Sequence, residues 1–391
     1  MGGVKTDALL RVLEQTNVSA LLDRWGPIEV LQVYDPENNM QGILVVDNDI
    51  LGPGCGSIRI SPAMNPREVF LRARSMTLSC ALVNVDFGGA AGGIRADPAE
   101  SDRMRLVRSF ARCISHHVPD QYVAAPDLDI GQEEMRAFAH EVGDLLGATG
   151  KPVEMGGIPY ELGPVGFGMG VATAQFLEAM KSEKGLPPAL AGSKVAIQGL
   201  DLVGVSVARY LSHEGAKIVA LSDESTLLHN PAGLDLNRLL KFLDSPESRK
   251  GLAHFKESSR LPVEDIANVS CDILFLPTAS NLITEQNADE VRARCIVEGA
   301  NNPINTIADM MLVKRGVTVL PGILTTSGGP ICSSTEYKHG TVESAFFAIQ
   351  SRLKEATRNL VGRSSELDLP IRRVASEMAK DRLAEAMEET E

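Results

Sequence analysis

The sequence has no C-x-x-C pair and no H-E-x-x-H. Its six cysteines (Cys55, Cys80, Cys113, Cys271, Cys295, Cys332) and seven histidines are scattered, with one adjacent pair at His116-His117. A metal site therefore has no ligand set to start from, and none is expected. The cysteines read as reduced thiols, mostly core filler, in a cytoplasmic protein. The start lacks the basic, apolar and small-residue regions of a secretory leader. Residues 1–6 match the N-myristoylation pattern only loosely, so no lipid anchor is expected. No run of about 18 apolar, uncharged residues occurs, which argues against a membrane-spanning helix. Positive charge is in deficit: 38 Lys+Arg against 51 Asp+Glu leave a net charge of −13. Such a surface repels phosphate backbones and anionic lipid, so nucleic-acid and membrane partners are not expected. What remains is 44% apolar and 23% charged over 391 residues, the composition of a globular chain of two or three domains.

The clearest local signal lies mid-chain. Lys194-Val195-Ala196-Ile197-Gln198-Gly199 is a β-rich run ending on glycine. A helical stretch follows over 202–214 with Val203, Val207 and Leu211 on one stripe, then Gly215 and a second apolar run at 216–223. Strand, turn, helix, glycine, strand in about 30 residues is a βαβ unit and implies a parallel sheet. Apolar runs at 272–276, 295–297 and 317–320 carry that sheet to about residue 323, giving one doubly wound α/β domain. Earlier, 28–34 and 42–46 flank the turn formers Asp35-Pro36-Glu37-Asn38-Asn39 and read as paired strands. Helices are predicted at 66–78 and 134–146; in the second, Met135, Phe138, Val142 and Leu145 share a face. Residues 182–193, with Gly185, Pro187, Pro188 and Gly192, form the connection, and helices at 342–360 and 371–387 close the chain.

Four stretches resemble the glutamate dehydrogenase family, the Glu/Leu/Phe/Val dehydrogenases. They are Gly52-Pro53-Gly54-Cys55-Gly56-Ser57-Ile58-Arg59, Asp86-Phe87-Gly88-Gly89-Ala90-Ala91-Gly92-Gly93-Ile94, Ala125-Pro126-Asp127-Leu128 and Val297-Glu298-Gly299-Ala300-Asn301. Weaker echoes run through Gly150-Lys151-Pro152, the Gly199 turn and the C-terminal 382–387. The resemblance implies an α/β chain of two domains: an N-terminal substrate and oligomerisation domain over 1–165 and a Rossmann-like doubly wound parallel sheet over 166–335. C-terminal helices over 336–391 would pack back. It also implies an amino-acid substrate, NAD or NADP as cofactor, and a homo-oligomer, commonly a hexamer.

The family's chemistry rests on three lysines and an aspartate. Two lysines grip substrate carboxylates by charge-assisted hydrogen bonds. The third polarises the carbonyl or attacking water while the aspartate shuttles the amine proton. Matched onto this chain, the substrate lysines fall at Cys55 and Ser79 and the catalytic lysine at Ala91. Asp127 remains as the proton donor, and Ser333 as the serine that contacts the substrate's side-chain carboxylate. Arg59 and Arg95 look like structural members of the pattern. Cys55 reads as an inert replacement rather than a nucleophile.

The cofactor turn is altered as well. The family's G-x-G-x-x-G appears as Gly199-Leu200-Asp201-Leu202-Val203-Gly204, and Asp201 puts a negative side chain where pyrophosphate approaches helix N–H groups. An aspartate there is also a good N-cap, the favoured reading. The nicotinamide-end threonine falls at Val165, the asparagine at Thr326, and an upstream arginine is replaced by Glu161. Asp223 is placed to accept from a ribose hydroxyl, and Asn301 persists. Turn-shaping glycines survive while ligand-touching side chains have gone. The leading expectation is a glutamate-dehydrogenase-like protein impaired in glutamate deamination, acting as a binding or regulatory subunit with itself or with an active relative. The alternatives are an NAD(P)-dependent amino-acid, amine or imine dehydrogenase using Asp127 as proton donor, and a small-molecule sensor.

Overall fold

The computed structural model describes residues 18–389 except 182, 256–258, 279–280 and 301. The loosely matched residues 1–6 and Asn301 thus lie outside the described residues. The chain divides into two compact units. Unit 1 takes the described residues through Leu162, with Pro330–Ala345 and the segment from Ala379; unit 2 takes Gly163–Gly329 and Phe346–Met378. Residues 336–391, expected as one terminal segment, are instead shared between the units.

Unit 1 is built on a five-stranded sheet in the order β1-β2-β4-β3-β5: β1 Glu29–Asp35, β2 Met40–Asn48, β3 Gly54–Ile60, β4 Gly88–Ile94 and β5 Tyr122–Ala125. The β1–β2 hairpin is the pair predicted around Asp35-Pro36, with Asp35 opposite Met40. β2 runs antiparallel to β4, while β3 lies parallel to both β4 and β5. Helix α1 (Pro66–Leu82) starts where Asn65 caps the Glu68 N–H and Pro66 presets the first turn. It covers one face through Val69, Phe70 and Ala73. On the other face α2 (Arg103–Ile114) and α3 (Gln132–Val142) bury Leu106, Phe110, Met135 and Phe138 against Leu44, Ile58 and Ile94.

The central strand β4, Gly-Gly-Ala-Ala-Gly-Gly-Ile, gives no strand signal in sequence, because glycine has low β-propensity. Its glycines answer to packing. A Cβ on Gly89 would stand 2.0 Å from Thr77 Oγ1 and 2.4 Å from Ala73 O, so α1 can lie this close only over a strand without side chains.

Unit 2 holds a seven-stranded sheet in the order β12-β11-β10-β6-β7-β8-β9. Its strands are β6 Lys194–Gln198, β7 Lys217–Ser222, β8 Leu227–His229, β9 Ser259–Leu261, β10 Ile273–Leu276, β11 Cys295–Glu298 and β12 Thr318–Leu320. Strands β12 through β7 are parallel, as the βαβ signal requires. At one edge of this parallel sheet, β8 and β9 run antiparallel. Each has only three residues, too short for a period-two pattern to register. Helices α4 (Pro164–Met180) and α5 (Leu202–His213) belong to this unit, and α6 (Leu236–Leu243) and α7 (Thr306–Lys314) follow. Then come the short α8 (Gly322–Thr325), α9 (Gly328–Tyr337), α10 (Val342–Leu367) and α11 (Ile371–Glu388), the last three spanning the division between units. Among the described residues no helix is long and apolar enough to cross a membrane.

Candidate functional site

In unit 1, alternation along β3 sends Ile58 and Ile60 into the core under α2 and α3, and Cys55, Ser57 and Arg59 to the face that α1 covers. Ala91 of β4 shares that face, packed with Val69 and Ala73 of α1. Ser79 lies buried on α1. Asp127 follows β5 in a tight turn in which Asp127 and Ile130 exchange backbone hydrogen bonds of 3.2 Å.

Two arginines converge on Asp127. Arg59 donates from Nη2 to Oδ1 at 2.8 Å and from Nε to Oδ2 at 3.1 Å. Arg72 donates from Nη2 to Oδ2 and to Ser57 Oγ, the latter at 2.7 Å. The Ser57 hydroxyl donates to Oδ2 at 3.1 Å, and the Leu128 N–H to Oδ1 at 2.8 Å. Burial alone would push this carboxyl up. The Arg72 and Arg59 charges, with the hydrogen bonds, overcome burial and hold it well below the usual carboxylate range. A proton shuttle must take up a proton near neutral pH. The two arginines hold Asp127 ionised and oppose the proton uptake that the resemblance assigns to it.

The Cys55 thiol is fully buried, and burial pushes it up to about 12 against the opposing hydrogen bond of the Ser333 hydroxyl. It is a poor nucleophile at neutral pH. Ser333, on α9, also accepts from Thr149 Oγ1 at 2.9 Å. The fold thus brings Cys55 and Ser333 together, with Asp127 beyond Ser57, while Ala91 contributes a methyl group and no polar atom. Lys151 is buried, and its ammonium is spent on Ala148 O and on Glu336 Oε1 at 2.5 Å. Glu336 also accepts from Gly150 N–H at 2.8 Å and Ile158 N–H at 2.7 Å. Arg95 donates to Met64 O, and Glu161 accepts from the Gln132 N–H at the start of α3, where negative charge suits the helix dipole.

In unit 2, β6 and β10 flank the point where strand order reverses, the usual place for a dinucleotide. Gly199 ends β6 with φ +104°, and a Cβ there would lie 2.2 Å from Thr278 Oγ1. Asp201 is the N-cap of α5 and accepts from the Gly204 N–H at 2.9 Å. An N–H that would face pyrophosphate is therefore taken by a carboxylate. Asp223, expected to accept from a ribose, is already engaged locally: Oδ1 accepts from Ser225 N–H, Ser225 Oγ and Thr226 N–H, and Oδ2 from Leu252 N–H at 2.5 Å. Its lone pairs close a local turn and fasten the 251–252 segment. Val165, buried in the first turn of α4, lies against Gly328 and Gly329, and the Thr326 hydroxyl turns back to Gly322 O at 2.7 Å. These residues do not fit a dinucleotide.

Two family models match the chain. Residues 156–390 match "Glutamate/Leucine/Phenylalanine/Valine dehydrogenase", and residues 27–143 match "Glu/Leu/Phe/Val dehydrogenase, dimerisation domain". The chain belongs to this family.

The glutamate dehydrogenase of Aeropyrum pernix is 34% identical over 330 residues, covering 80% of this chain and 77% of that enzyme. The NADP-specific glutamate dehydrogenase of Saccharolobus shibatae is 33% identical over 358 residues, covering 87% and 82%. Among solved structures, the hetero-hexameric glutamate dehydrogenase of Thermus thermophilus in a Leu bound form aligns with a TM-score of 0.80 at 27% identity. That alignment covers 98% of this chain and 95% of the other. Arg72 and the Lys151–Glu336 pair are absent from the sequence reading of this family member. Arg72 had a legible signal: it precedes Ser79 by seven residues, two helical turns, and so shares its face on a stripe otherwise carrying Val69 and Ala73. Glu336 had none, since its partner lies 185 residues away.

Proposed function

We propose that this chain is a member of the glutamate dehydrogenase family that does not carry out glutamate oxidative deamination and serves as a binding or regulatory subunit. The observation that carries the reading is Asp127, ionised between Arg59 and Arg72, with Ala91 where the resemblance implies the catalytic lysine. Losing one aimed donor costs roughly 10²–10³ in rate. Losses within one catalytic unit are not additive. A deficit of about 10⁴-fold for glutamate is the resulting expectation. Asp201 Oδ1, which accepts from the Gly204 N–H, and the hydrogen-bonded oxygens of Asp223 support the same reading from the cofactor side. The alternative of an amino-acid, amine or imine dehydrogenase needs Asp127 as acid, a role that its ion pairs with Arg59 and Arg72 oppose.

The hetero-hexameric Thermus thermophilus enzyme with Leu bound supports the regulatory half of the proposal, a partnership with an active relative in which a small ligand is held. The test is the purified chain incubated with glutamate and NAD or NADP while reduced cofactor is followed. No turnover, with no heat on calorimetric titration of either cofactor, is expected. Turnover at a rate ordinary for enzymes, about 1 per second or more, overturns the proposal.

A further inference from the structure

Strand β12 ends the sheet of unit 2 and, among the described residues, pairs only with β11, in parallel. Its Thr318 N–H is given to Arg294 O, and Thr318 stands opposite Cys295. Successive residues of a strand turn their peptide groups to opposite edges, so the N–H and C=O of Val319 face away from β11. A cavity of about 830 Å³ within unit 2 is lined by Gly316, Val317, Thr318 and Val319 in unbroken succession. Side chains alternate between the two faces of a strand, so a cavity over one face would meet every second residue. This one runs along the open edge. Its other walls come from the corner between α10 and α11, the end of α4, and α7.

Three carboxylates and two guanidiniums line the cavity. Arg372 spends Nε on Asp309 Oδ1 at 3.1 Å and Nη2 on the buried Glu298 at 2.7 Å. Arg315 donates to Ala288 O and, at 2.7 Å, to Val291 O. Glu183 and Asp368, both exposed, are left as the surplus charge of the lining. The C-terminal ends of α4, α7 and α10 add partial negative charge at the same place. Lys181 and Lys314 stand at two of those ends, outside the lining. An exposed apolar stripe adjoins the cavity: Ile307, Met310 and Val313 follow one side of α7, and Val313 belongs to both.

We propose that the open edge of β12 is a docking site for an extended peptide segment of a partner protein, which adds as a further strand. Backbone hydrogen bonds along Val319 supply affinity, and side chains supply specificity. A Lys or Arg of the segment meets Glu183 and Asp368, and an apolar side chain meets the α7 stripe. A second copy of this chain, with its net charge of −13, suits an acidic lining poorly. The inference rests on the binding-subunit reading and names the kind of partner.

The experiment titrates the full chain into a labelled Val-Lys-Val-Lys-Val peptide, its Glu analogue, and the Lys peptide N-methylated throughout, with fluorescence anisotropy as the readout. Hydrogen exchange of the Val319 amide is followed in parallel. The Lys peptide is expected to bind saturably and to slow that exchange. The Glu analogue should bind at least about fivefold more weakly, and the N-methylated peptide not at all. In Glu183→Gln/Asp368→Asn the Lys and Glu peptides should bind within about twofold of each other, with Val319 still protected. Asparagine accepts the left-handed φ of +50° at 368, so the turn survives the substitution. No saturable binding up to about 1 mM overturns the inference. So does unchanged exchange at Val319, equal binding of the N-methylated peptide, or an undiminished preference for Lys in the double variant. None of these readouts involves glutamate or a cofactor, so failure here and failure of the non-catalytic reading are separable.

Discussion

The environment of Asp127, between Arg59 and Arg72, makes an acid–base prediction. Its carboxyl is held below the ordinary value of 3.8, so the unfolded chain binds more protons than the folded one as pH falls. The stability it contributes is complete above pH 3.8 and is lost as pH drops toward the lower folded value. Urea unfolding of the native chain and of Asp127→Asn should therefore show a gap that is constant from pH 7 to about 5. That gap should close in more acid solution. A gap that stayed constant into acid solution as well would place the folded group at its ordinary value and remove the ion-pair argument. Cysteine offers a second check. Cys55, Cys80, Cys271, Cys295 and Cys332 are buried, whereas Cys113 is half-exposed. A disulfide reagent at pH 8 should modify Cys113 first and reach Cys55 only on unfolding. Rapid labelling of Cys55 would contradict a thiol pushed up to about 12.

Individual elements carry the next layer. The start of α5 depends on Asp201 for its cap. Asp201→Ala should cost about 1 kcal/mol in chemical denaturation and Asp201→Gly only a few tenths. Neither should create measurable NADP binding, because Asp223 stays committed to Ser225, Thr226 and Leu252. The 148–158 segment is held to α9 by the buried Lys151–Glu336 pair. Lys151→Met leaves a buried carboxylate and should destabilise by about 3–5 kcal/mol. Lys151→Met with Glu336→Gln should recover most of that loss, since one oxygen remains for the Gly150 and Ile158 N–H groups. Equal losses in the single and double variants would mean that packing, not charge, holds the segment.

For the whole molecule, the non-catalytic proposal implies that each unit lacks a part of the reaction by itself. Replacing Cys55, Ser79 and Ala91 together by Lys changes unit 1 alone, and leaves Asp127 tied to Arg59 and Arg72. The triple variant is expected to remain without glutamate-dependent reduction of NAD or NADP. Turnover in it would show that the three positions were the whole deficit and that Asp201 and Asp223 were no obstacle. The dimerisation-domain match over 27–143 and the hetero-hexameric relative fit an oligomer. Co-expression with an active family member should give a mixed complex by native mass spectrometry; separate homomeric species would count against the subunit role.

The βαβ run from Lys194 to Asp223, the β1–β2 hairpin and family membership were legible in the sequence, because each rests on periodicity, turn chemistry or motif order over a short span. So was the suspicion at Cys55, Ser79, Ala91 and Asp201, where side-chain type alone speaks. The glycine-rich β4, the antiparallel β8 and β9, and the fates of Asp127 and Asp223 were not. Their outcome depends on which distant donors reach them: Arg72 from α1 and Leu252 from a segment 29 residues on. Residue types set the available charges and donors, but tertiary packing chose the pairs, and a carboxylate's chemistry follows from its partners.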